Sequence, residues 1–198
     1  MSETSILTQT QKEAIPEPTN TKTVISKPKT PFVWWWIVIL SVITTVLGVL
    51  LHYTYEWSGE NSFVGSFSAI NESVWEHLKL LFYPLIIACL IQYIFLRQNN
   101  LGAGIFIGAI TGIFLIMALF YIYVGAFTHP NTYVGIDISI FVVSSIISVI
   151  LATWIFTMDF GFEYNFLSTI GILLLLFMFV AFTYITPEVP LFIPPPEE

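Results

Sequence analysis

Charge is what this chain has least of. Only 10% of its 198 residues are Asp, Glu, Lys or Arg, against about 25% in soluble domains. A water-facing surface cannot be built from so few. Basic residues are rarer still, six against thirteen acids. No basic patch is available for a nucleic acid, so that class of partner is excluded. There is a single cysteine, Cys89. It cannot form an intrachain disulfide, and no cysteine-based zinc spacing exists. Inside an apolar run it reads as a small packing side chain. No segment alternates apolar with polar residues, which argues against a membrane barrel. None of these features implies a cofactor.

Long apolar sequence is what the chain has in abundance. Five runs occupy about residues 32–56, 74–97, 101–127, 133–156 and 164–185. As helices rising about 1.5 Å per residue, each can cross a hydrocarbon core of about 30 Å. The links are short apart from 57–72, so backbone hydrogen bonds must close within helices. The expected fold is all-α: a polytopic membrane bundle of five transmembrane helices in the cell membrane, with membrane lipids as immediate partners. Residues 1–30 are polar and too poor in apolar surface to fold, and read as a disordered cytoplasmic tail. The bundle then covers 31–186, and 187–198 forms a Pro-rich C-terminal tail. The first apolar run is too long for a signal core and no small-residue cleavage site follows it. A cleaved signal peptide is therefore not expected.

Basic residues set the expected orientation. Lys12, Lys22, Lys27 and Lys29 precede the first run, and Arg97 closes the second. An N-terminus in the cytoplasm places all five inside and leaves only Lys79 near the outer face, with the C-terminus outside. Trp34, Trp35, Trp36 and Trp154 then mark the inner interface, and Trp57 and Trp75 the outer one. The acidic link from Asp159 to Glu163 also falls inside.

With that orientation, nearly every ionisable residue of the bundle lies toward the outer side. Residues three, four and seven apart share a helix face. Glu72, Glu76, Lys79 and Tyr83 fall on one stripe. Thr45, Gly48, His52 and Glu56 fall on a second, and Asp137, Ser144 and Ser148 on a third. Charge in a membrane helix is costly and turns toward a partner or a wet cavity. The three stripes are therefore expected to meet around one polar pocket, with Asn71 and His77 beside it. Blander roles compete. Ser73-x-x-Glu76 fits a capping box, and Glu72 suits a helix N-terminus. Lys79 can pair with either acid or snorkel outward. His52 and Glu56 can simply hydrogen-bond at the interface, and His129, beside Pro130, suits a solvated loop. The serines can bond helix backbones.

His52, Glu56, Glu76 and His77 are metal-ligand types. His77 is turned about 100° from Glu76 on a helix, which keeps both from one ion, and no His-Glu-x-x-His pattern or Asp-rich cluster exists. Gly104, Gly108 and Gly112 form a ladder that admits a close helix neighbour, within the chain or in a second copy of a homo-oligomer. Pro84 removes one backbone hydrogen bond from the second span, near the expected pocket floor.

The string NES-x-WEH-x-K followed by LLFYP, with HYTYEWSG before it and TPEVPLF near the C-terminus, resembles an uncharacterised family of small bacterial membrane proteins. The resemblance covers about residues 35–192 and implies five spans. It marks Asn71, Glu72, Trp75, Glu76, His77 and Lys79 as the stretch of interest and implies no activity. The family pattern continues past Leu191-Phe192 with an acidic residue, where this chain has Ile193 and three prolines.

Three function classes follow. The leading one is a pocket, at the outer face, that binds a small cation or a polar head group through Glu56, Glu76, His52 and Lys79, with transport as one version. The second is a membrane enzyme acting on lipid, with Glu76 or His77 as general base and Lys79 steadying negative charge. The third is an accessory subunit whose polar cluster only locks helices together.

Overall fold

The structure, a computed structural model, describes residues 34–97, 100–126, 134–158 and 160–194. The N-terminal segment 1–30, His129, Asp159 and the last four residues lie outside the described residues. Five long helices dominate: α1 (Trp34–Trp57), α3 (Val74–Leu96), α4 (Leu101–Ala126), α5 (Val134–Phe156) and α6 (Phe162–Tyr184). A four-residue helix, α2 (Ser62–Gly65), sits in the long link, and a 3-10 turn, Pro190–Phe192, follows α6. No strand occurs among the described residues.

All five long helices are long and apolar enough to cross a membrane. Their outward faces carry side chains such as Phe114, Phe166, Leu173 and Phe177 in exposed positions. An apolar exterior suits lipid rather than water. The chain is an integral membrane protein on these grounds.

Helix α3 forms the centre. It packs against α1, α4, α5 and the 3-10 turn, and Leu78, Leu81, Phe82, Leu85 and Ala88 along it are fully buried. Consecutive long helices run antiparallel. Trp36 of α1 meets Phe95 of α3 at one end, and His52 meets His77 at the other. One end of the bundle therefore gathers the finish of α1, the start of α3, the start of α5 and the finish of α6.

Two backbone approaches shape the packing. Gly104, Gly108 and Gly112 of α4 are buried against α5 and α3. A Cβ on Gly108 would stand 2.9 Å from the Ser148 carbonyl oxygen. Of the two packing roles open to the ladder, the intrachain one is on display. In α3 the helix runs unbroken through Pro84. Proline has no N–H, so the Leu80 carbonyl one turn earlier lacks its helical donor. Gly48 of α1 lies against that carbonyl, where a Cβ would come within 2.7 Å of the oxygen. The missing side chain lets α1 close over the gap.

Trp75 departs from its expected place at an interface. It is only 7% exposed and packs on Phe179 and Phe182 of α6 and on Phe192, with ring centroids 4.8, 5.4 and 4.7 Å away. In the first turn of α3, it is covered by the end of α6 and by the returning C-terminal segment. Phe192, within the Pro-rich stretch, is itself buried.

Candidate functional site

The polar residues of the α3 entry divide into two arrangements on different faces. The reason is where the helix starts. Ser73 is extended and caps α3, its Oγ accepting from the Glu76 N–H at 3.4 Å. Glu72 therefore precedes the helix and does not continue the stripe of Glu76, Lys79 and Tyr83. The capping box is half made. The Ser73 N–H donates to Asn71 Oδ1 at 2.9 Å, and Glu76 turns elsewhere.

The first arrangement is a buried latch. Glu76 and Lys79 are 3% and 0% exposed, and their side chains pair at 2.5 Å. Lys79 Nζ also donates to the Gly65 carbonyl at 2.8 Å and to Thr183 Oγ1 at 3.1 Å. An ammonium has three protons, and three protein acceptors meet it. Glu76 Oε2 accepts from the Ile70 N–H at 3.0 Å. Tyr83 donates to the Ser66 carbonyl at 3.0 Å. Ser66 Oγ and the Tyr184 hydroxyl are 2.8 Å apart, and that hydroxyl donates to the Ser62 carbonyl. Ser68 Oγ, fully buried, accepts from Thr54 Oγ1 and the Tyr55 N–H and donates to the Leu51 carbonyl. The long link is thereby tied to α1, α3 and α6.

The second arrangement is a cleft between α1, α3, α4 and α5, with a cavity of about 490 Å³. Its walls are mostly apolar, including Val49, Leu80, Ile116, Phe120 and Phe141. His52, Glu72, His77 and Asp137 add a polar group to the lining. His52 Nε2 and His77 Nε2 each lie 3.5 Å from a different oxygen of Glu72. His77 Nδ1 is 2.9 Å from the Ser73 carbonyl, which can only accept, so Nδ1 bears a proton, and in the neutral ring Nε2 carries the lone pair. His52 Nδ1 and Asp137 Oδ1 are buried without a hydrogen-bond partner. Buried polar atoms in native proteins nearly always have one.

A profile for a family of unknown function, DUF6512, matches residues 25–195. The chain belongs to the DUF6512 family. No curated protein and no solved structure matches it. The DUF6512 match spans both the latch and the cleft.

The sequence-derived candidates are thus distributed rather than pooled. The cleft takes His52, Glu72, His77 and Asp137, together with Thr45 and Gly48. The latch takes Glu76, Lys79 and Tyr83, and Asn71 holds the turn before α3. Glu56 is exposed and outside the cavity lining, because it lies a turn beyond His52 at the end of α1. Ser148 donates to the Ser144 carbonyl and faces Gly112. Gly65 and Thr183 escaped notice, and Ser66 and Ser68, near the histidines only in sequence, drew no role, because small residues in a link, or one Thr in an apolar span, carry no periodic signal. At the opposite end, a cavity of about 400 Å³ is lined by Tyr93, Asn100, Asn165 and Thr169, with no acid, lysine, arginine or histidine. Asn100 and Asn165 are engaged there with the Met158 carbonyl and the Ala103 N–H.

Proposed function

We propose that this chain binds a polar-headed membrane lipid in the cleft between α1, α3, α4 and α5. The observation that carries the reading is the make-up of the cavity: apolar walls along its depth, with His52, Glu72, His77 and Asp137 in the same lining. An acyl chain suits the former and a head group the latter, as in ligand sites that pair an apolar body with a few polar groups. The latch supports the third function class for Glu76 and Lys79, since every proton of Lys79 is already placed.

Filling the cleft tests this. Val49→Trp introduces bulk into the lining, one turn from His52, and leaves the latch residues in place. The variant, purified in mild detergent, is expected to lose most of the lipid that co-purifies with the wild type by mass spectrometry. Equal lipid content and identity in both proteins refutes the reading.

In the cell membrane, with the N-terminus in the cytoplasm, the cleft opens at the outer side. Positive charge before α1 and at Arg97 supports that orientation. A Ser58→Cys variant is expected to react with a membrane-impermeant maleimide in intact cells, because Ser58 is exposed whereas native Cys89 is buried. Labelling only after the cells are broken reverses the orientation.

A further inference from the structure

We propose that His52, Glu72 and His77 form a binding site for a divalent transition-metal ion, for which zinc is the probe. The proposal deepens the reading of the cleft as the binding site and rests on it.

Three observations carry it. The first is spacing. One ligand atom from each residue lies within 4.8 Å of the others, and both imidazole–carboxylate distances are 3.5 Å. Such separations exceed the usual N–H···O length of about 2.7–3.2 Å. Each is close to the edge of a tetrahedral site, about 3.4 Å when the metal–ligand bonds are about 2.0–2.2 Å, and the two run to different oxygens of Glu72. The second is orientation. His77 Nδ1 is anchored on the Ser73 carbonyl, the outer-shell hydrogen bond that fixes a metal-binding imidazole and its tautomer. The third is a pair of buried polar atoms in the same lining without a protein partner, His52 Nδ1 and Asp137 Oδ1. Such atoms point to a bound group that the protein alone does not supply. The long approach of His52 Nε2 to Glu72 leaves that nitrogen for a metal.

Two histidines and one carboxylate are a ligand set that leaves positions open for water or substrate. Asp137 lines the same cavity but stands outside the close group. It would meet the ion through a bound water, which also gives its unpartnered Oδ1 a donor. The ring of His77 is set by the start of α3, and Glu72 by the bend before its cap. The site therefore depends on the helix beginning at Val74.

The test uses the full chain without a histidine tag, in detergent and stripped of metal. Calorimetric titration with Zn²⁺ is expected to show one saturable equivalent, and Co²⁺ is expected to give the visible absorption of a low-coordinate site. His52→Ala, His77→Ala and Glu72→Gln should each weaken zinc binding by about tenfold or more. Glu56→Gln, outside the cleft, should leave it unchanged. The Glu72 side chain is 65% exposed, so Glu72→Gln keeps the fold, and its melting curve checks that. No saturable binding, or equal binding by the His52→Ala/His77→Ala variant, overturns the proposal. Lipid content of the Val49→Trp protein is measured on metal-free samples, so the two readings fail separately.

Discussion

Glu76→Gln is expected to destabilise the folded bundle by about 3–5 kcal/mol, the cost of leaving one member of a buried ion pair alone. The substitution keeps the shape of the side chain and removes its charge. Lys79 then keeps its bonds to Gly65 and Thr183 but has no counter-charge in a place without solvent. Lys79→Met leaves the converse problem, a buried carboxylate. The double variant Glu76→Gln/Lys79→Met should recover most of the loss, because neutral side chains in place of a buried pair are often nearly as stable. Unfolding in detergent for all four proteins gives the coupling directly through a double-mutant cycle. Should Glu76→Gln melt with the wild type, the ammonium has reached water and the latch is not a buried one.

Gly112→Leu is expected to cost at least about 1–3 kcal/mol, as overpacking does in a well-filled core. A Cβ at this position runs into Ser148 Oγ and stands 2.8 Å from both methyl groups of Leu81. The bulk therefore wedges α4 away from α5 and α3 together. In a bilayer such close packing supplies much of the attraction between helices, since lipid is as apolar as leucine. Gly125→Leu is the control, because nothing lies within 4 Å of a Cβ there. The measurement is unfolding by SDS titration. Equal resistance of the two variants contradicts the α4–α5 contact.

The five long helices were legible because lipid demands long apolar runs, and α1, α3, α4, α5 and α6 fall close to the runs in the sequence. The gathering of ionisable residues toward one end was legible too. His52, Glu72, His77 and Asp137 do share one end of the bundle. The division of labour among them was not. Helical periodicity places Glu72 with Glu76, but Ser73 starts the helix one residue later and sends the two acids to different faces. Trp75 looked like an interfacial anchor because tryptophan prefers interfaces, and only tertiary packing reveals three aromatic rings around it. Glu76 was an anticipated partner of Lys79, but the others come from the link and from α6, more than ten and more than a hundred residues away. No local pattern encodes such contacts.

The seat of Phe192 against Trp75 sets an order of events during synthesis. The ribosome makes α3 long before it makes residue 192, and helices enter the bilayer before they pack. Trp75 must wait, uncovered on that side, until α6 has been made and the chain beyond it has turned back. The final ring to arrive completes an aromatic group whose other members sit in α3 and α6. Completion of that aromatic group therefore waits for the segment beyond α6, and is a small docking step rather than an insertion.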